Sequence, residues 1–235
     1  MKKRIKNKIK NLLFQNENNV EEKPDLFHYL PKEINILFDV GAHKGSFTKE
    51  VYSKIKVNKT YIFEPIPVVF NEILADEFLN KFSCHNIALS SFVGNAEFYI
   101  NENMQTSSLL NFDKSLLSTN NINKDLKSKI IVKTNTLNNF MKAEQIKEID
   151  LLKIDVQGAD LDVLKGLEDN IYNVKTIFTE VSFKKIYENS STFFEVFDYL
   201  NNKGFILVDL YPVYRGVNSE LLQSDALFLN SNSIV

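Results

Sequence analysis

Short runs that are apolar nearly throughout recur along this 235-residue chain, with helical patterns between them. A run of that kind is buried on both faces, which requires a sheet with helices on both sides. The first run, ILFDV at 36–40, stops at Gly41 and precedes a helical pattern over 46–55. The second, TYIF at 60–63, stops at Glu64 and Pro65 and leads into a helix over 68–79, then a third strand at 83–87. The pattern resumes with strand 150–156, helix 159–166, strand 174–181 and helix 193–203, and closes with strands at 205–210 and 226–229. No convincing helix joins the last two, so an antiparallel hairpin at one edge is expected. Seven strands in this rhythm predict an α/β, Rossmann-like, doubly wound and mostly parallel sheet in a single domain.

The stretch from residue 88 to 140 breaks the rhythm. AEFYI at 96–100 alternates like a half-exposed strand, and IIVKT at 130–134 is its candidate partner. The polar stretch between them, 101–128, is too long for a plain connection and reads as a lid or acceptor-binding loop. Ahead of the domain, residues 1–33 read as a basic N-terminal helical extension broken by Pro24 and Pro31, leaving 34–235 as the domain proper.

Charge is unevenly placed. Residues 1–10 carry six positive charges and no acid, so within a formal net charge of −2 the remainder stands at −8. An acidic body lacks the lysines and arginines that duplex affinity needs, and no nucleic-acid partner is expected. Within residues 1–13, Ile5, Ile9, Leu12 and Leu13 fall at helical spacing, which suits either a solvated helix or peripheral contact with an anionic membrane. The single cysteine, Cys84, allows neither an intrachain disulfide nor a thiolate metal cluster. No apolar run approaches the roughly 20 residues needed to cross a bilayer. A cytoplasmic location is expected.

In an open parallel sheet, ligands bind beyond the carboxyl ends of the strands, so the residues there matter most. After the first strand comes DVGAHKG (39–45), whose glycines permit a tight turn and close approach. After the second comes Glu64, 23 residues beyond Gly41, the position from which a carboxylate reaches a ribose diol. A dinucleotide would want G-x-G-x-x-G to seat its pyrophosphate on a helix N-terminus. Here the spacing is G-x-x-x-G with Asp39 two residues ahead, a charge that repels pyrophosphate and suits the ammonium and sulfonium of S-adenosylmethionine. The segment LLKIDVQGADLDVLKG (151–166) ends a strand at Asp155, turns at Gly158 and opens a helix with Asp160 and Asp162, read as charges that complement the helix dipole.

These motifs, in this order, resemble FkbM-type methyltransferases. The family carries F-D-V-G-A-x-x-G, F-E-P, N-x-A-L-S and L-x-K-I-D-x-x-G-x-E-x-x-V-L-x-G. Here they stand at 38–45, 63–65, 86–90 and 151–166, with Asp160 for the frequent Glu and His43 where Asn is common. Thr136-Leu137-Asn138 is similar to the family's T-L-D, with Asn138 in place of Asp. The resemblance implies a class I methyltransferase fold with S-adenosylmethionine as cofactor. Asp39 and Gly41, in one turn with His43 and Gly45, would line its methionine end. Glu64 would hold the ribose, Asn86 and Ile87 would flank the adenine, and Asp155 would face the donor's amino group and the acceptor. It also implies O-methylation of a small-molecule or glycan hydroxyl, a sugar foremost.

Methyl transfer from a sulfonium depends on positioning, and an alcohol acceptor gains from a general base. Asp155, His43 and Glu180 are the candidates. Asp155 with Glu180 or Asp225 is the nearest approach to a hard-cation site, but no compact oxygen-ligand motif exists and no metal is expected. The alternatives are an NAD-linked Rossmann-type nucleotide-binding protein or a non-catalytic one. The dinucleotide loop is missing for the first, and the intact carboxylates speak against the second.

Overall fold

The computed structural model describes residues 24–113 and 126–233. Contacts divide the chain into two units, residues 1–31 and 32–235. In the first unit the described part is a 3-10 turn, Leu26–Tyr29, whose N-cap Asp25 accepts the His28 N–H. The basic helix expected over residues 1–13, with its membrane contact, lies outside the described residues, as do residues 114–125 of the expected loop.

The second unit runs β1 (Glu33–Val40), α1 (Ser46–Lys54), β2 (Lys56–Phe63), α2 (Pro67–Ala75), β3 (Ser83–His85), β4 (Ala88–Leu89), β5 (Gly94–Asn101) and β6 (Leu126–Asn135). It continues with α3 (Leu137–Ala143), β7 (Ile149–Ile154), α4 (Asp160–Lys165), β8 (Val174–Ser182), α5 (Phe193–Asn202), β9 (Phe205–Arg215) and β10 (Leu221–Asn230). Seven strands form one sheet in the order β3-β2-β1-β7-β8-β10-β9. All its pairings are parallel except those of β10, which runs antiparallel to both neighbours. This is the doubly wound, mostly parallel sheet that the alternation predicts, closed by the expected edge hairpin.

Helices cover both faces. On one, Phe38 and Val40 of β1, Leu152 and Ile154 of β7 and Phe228 of β10 pack beneath α3, α4 and α5. Phe38 anchors that layer, with its ring 4.9 Å from Tyr61 and 5.9 Å from Phe140. On the other face Ile62 of β2 packs with Ile73 of α2, while α1 lays Thr48 against Asp39 and Phe47 against Phe178. The strands are therefore buried on both sides, which is why they read as apolar runs.

A three-stranded sheet, β4-β6-β5, holds the stretch that broke the rhythm. Ala96 stands opposite Val132 and Phe98 opposite Ile130, the antiparallel pairing expected from alternation. Two elements differ from expectation. The third strand ends at His85, leaving Asn86 and Ile87 to cross to the small sheet. Helix α3 was not anticipated, because its Asn138 and Asn139 are poor helix formers. Tertiary burial of Leu137, Phe140 and Met141, with Thr136 capping the Asn139 N–H at 3.1 Å, forms it regardless.

Candidate active site

The carboxyl edge of the sheet gathers most of the expected residues. Gly41 and Ala42 donate their N–H groups to the Phe63 carbonyl at 3.0 and 3.1 Å, hooking the turn after β1 onto the end of β2. Gly41 has φ +72°, and a Cβ there would lie 1.9 Å from the Asp155 carbonyl oxygen. The turn thus sits directly against the end of β7, and only glycine fits. Gly45, at φ +70°, is the left-handed N-cap of α1.

Glu64 follows β2 and is almost fully buried. Its carboxylate accepts the His43 N–H at 2.9 Å and the Ile66 N–H at 2.8 Å. Burial pushes its pKa up to about 7 against the pull of those two bonds. Asn86, exposed at the end of β3, donates to the Glu64 and Pro65 carbonyls at 2.8 and 3.1 Å. Ile87 is half-buried and leans on the main core. His43 is half-buried at φ +48°, and burial first, then Lys44, holds its imidazole below the ordinary range.

Lys153 is the feature that reading along the chain missed. It is a buried lysine on β7, in register with Asp39 of β1. Its Nζ donates to the Gly41 carbonyl at 2.9 Å and lies 3.3 Å from Asp39 and 3.7 Å from Asp155. Burial opposes its charge, but Asp39 and Asp155 outweigh burial and hold the ammonium above the usual lysine range. Asp39, with no exposed surface, is enclosed by Lys153 and by the Thr48 hydroxyl at 2.7 Å. Its charge is thereby paired with Lys153 inside the fold. Asp155 beside it is more accessible, its side chain 38% exposed. A lone lysine inside the apolar run LLKI was the available signal.

Gln157 was also missed. At φ +57° in the turn after β7, its amide nitrogen donates to Asp155 at 2.7 Å and to Glu180 of β8 at 3.0 Å. Its carbonyl accepts the hydroxyl of buried Tyr187 at 2.8 Å. Asp225 of β10 stands opposite Glu180, and burial, then the Asp155 charge, raises its pKa to about 7. Asp160 turns back to accept the Val156 and Gly158 N–H groups at 3.3 and 3.0 Å, so it caps the turn. Among the described residues no three His, Cys, Asp or Glu side chains converge as a metal-holding group. A cavity of about 360 Å³ lies at the opposite edge of the sheet, lined by Asn35, Lys59, Tyr61 and Asp150, away from these carboxylates.

A parallel sheet with one antiparallel strand, a glycine turn after β1 and a buried carboxylate after β2 define a Rossmann-like methyltransferase fold. The family described as the methyltransferase FkbM domain matches residues 39–207, and the chain belongs to that family. It is 24% identical over 199 residues to the 2-O-methyltransferase NoeI of Sinorhizobium fredii, covering 82% of this chain and 80% of that one. It is 23% identical over 153 residues to the hexuronic acid methyltransferase AglP of Haloferax volcanii, covering 64% of this chain and 57% of AglP. The crystal structure of a methyltransferase FkbM from Methylobacillus flagellatus superposes with a TM-score of 0.51 at 12% identity, over 86% of this chain. The chain spans 45% of that structure's length.

Proposed function

We propose that this chain transfers the methyl group of S-adenosylmethionine to a hydroxyl oxygen of a sugar-like acceptor. The observation that carries the reading is Glu64: a buried carboxylate at the end of β2, bonded to the backbone of the glycine turn after β1. That pairing suits a ribose diol beside a donor without pyrophosphate. Asp155 lies against that turn with its carboxylate 38% exposed. An accessible carboxylate there fits a cationic cofactor and not an anionic one.

The bound cofactor would supply an electrophilic methyl group on a sulfonium. Glu64 would accept the ribose hydroxyls, while Gly41, His43 and Gly45 would border the methionine end. Asp39 would act there through Lys153, and Asp155 would receive the donor's ammonium. Asn86 and Ile87 would flank the adenine. Asp155 and Glu180 would take the acceptor's proton as its oxygen attacks, with His43 as the other candidate base. The names of NoeI and AglP, a 2-O-methyltransferase and a hexuronic acid methyltransferase, support a carbohydrate acceptor. Residues 1–33 would then be an extension to this catalytic domain, and the protein would work in the cytoplasm. No helix among the described residues is long and apolar enough to cross a membrane.

The test is transfer from methyl-labelled S-adenosylmethionine to a panel of neutral glycosides, uronic acids and polyols. Label in an alkali-stable ether is the expected product. Label confined to alkali-labile esters or amines would contradict hydroxyl transfer.

A further inference from the structure

We propose that Gln157 is the positioning residue of the proton-accepting carboxylates, its one amide nitrogen giving an N–H to Asp155 and an N–H to Glu180. The inference rests on the methyl-transfer reading above. Two like charges from adjacent strands, β7 and β8, meet at this nitrogen at 2.7 and 3.0 Å. An amide NH2 carries two donors in one plane and so bridges two acceptors at once.

The amide's orientation is determined by its other end. Its carbonyl accepts the Tyr187 phenol at 2.8 Å, and a flipped amide would set that carbonyl against two carboxylates. Tyr187 is locked in turn, with its ring stacked on Phe112 at 4.7 Å. The left-handed backbone of Gln157 is fixed by Ser108, whose hydroxyl donates to the Gln157 carbonyl at 2.8 Å. Gly158 follows, and a Cβ there would lie 2.8 Å from the Tyr187 ring. A strained turn held from so many sides belongs to a group whose placement matters.

Other charged groups face this pair. They are Lys153 on β7, Asp39 on β1, Asp160 on α4, Asp225 on β10 and His43 in the turn after β1. In the reaction the acceptor's oxygen forms the new O–CH3 bond as the S–CH3 bond breaks. The sulfur leaves as a neutral thioether, and the hydroxyl proton passes to the carboxylate pair. Gln157 acts through this pair, which it keeps aligned.

The experiment uses the full chain labelled with 15N-glutamine. The Gln157 side-chain amide is identified by its loss in Gln157→Leu, or in Gln157→Asn should the leucine variant not fold. Both amide protons are expected downfield of those of a solvent-exposed glutamine. Asp155→Asn should move one and Glu180→Gln the other. Amide protons at the exposed-glutamine position, or unmoved by both carboxylate variants, overturn the proposal. In transfer assays Gln157→Leu should lower kcat about 10- to 100-fold with KM for the methyl donor within about twofold. A rise in that KM matching the loss in kcat would indicate a merely structural role and also overturn it. Calorimetry of the native protein separates the two levels. Failure to bind S-adenosylmethionine sinks the methyl-transfer reading, whereas donor binding with amide protons unmoved by both carboxylate variants sinks the Gln157 assignment alone.

Discussion

Lys153 ties together the strand ends that carry the site. Its ammonium reaches the Gly41 carbonyl, Asp39 and Asp155, so one side chain joins β1, the glycine turn and β7. Removing one partner of a buried ion pair leaves the other charge uncompensated, at a cost of about 3–5 kcal/mol. Lys153→Met should therefore destabilise the protein by about that much in urea unfolding, and a loss below about 1 kcal/mol would contradict the role. Gly41→Ala should be no milder, because its Cβ would overlap the Asp155 carbonyl. The carboxylates Asp39, Glu64, Asp155 and Glu180 were legible in the sequence because each sits at or beside the carboxyl end of an apolar run. Lys153 and Gln157 were not. Their importance comes from partners on other strands, and no periodicity along the chain reveals those.

At the scale of elements, α3 shows how a departure from a family pattern is accommodated. Asn138, in its first turn, is buried and donates to Glu168, while its own carbonyl accepts from Asn170 at 2.7 Å. An aspartate at 138 would turn a donated bond into a clash of carboxylates. Asn138→Asp should thus cost about 1–3 kcal/mol, measured by thermal unfolding at neutral pH. A neutral or stabilising result would show that Glu168 finds another partner. Strands β9 and β10 run well past the sequence estimate, reaching Arg215 and Leu221. The outer half of β9, the edge strand, pairs with β10 alone and keeps Tyr214 exposed, so it lacks the buried-strand signature. If this hairpin presents the acceptor, Tyr214→Ala should raise the acceptor KM about tenfold and leave donor binding unchanged. An unchanged acceptor KM would place the acceptor elsewhere.

Across the whole molecule, burial raises three acids, Glu64, Asp160 and Asp225, to about 7 each. The folded state then holds more protons than the unfolded chain between the ordinary carboxylate range and about pH 7. By linkage, stability must fall as pH rises through that window and level off above it. The ligand-free protein should melt at a higher temperature at pH 5.5 than at pH 7.5. Asp225→Asn should flatten part of that slope and stabilise the protein by about 2 kcal/mol at pH 8, since Asp225 is partly exposed. A melting temperature that rises with pH over this range would contradict the burial argument. The architecture was legible from the alternation of apolar runs and helices, down to the antiparallel edge. The small sheet's crossing at Asn86 and Ile87 was not, because a two-residue strand carries no periodicity.

The central claim is that the carboxyl edge around Glu64 holds a methyl donor. Calorimetric titration with S-adenosylmethionine and separately with NAD, on the native chain and on Glu64→Ala, tests it most directly. Binding of S-adenosylmethionine alone, weakened at least about tenfold by the substitution, is the predicted result. Binding of NAD in its place, or of neither ligand, would contradict the account.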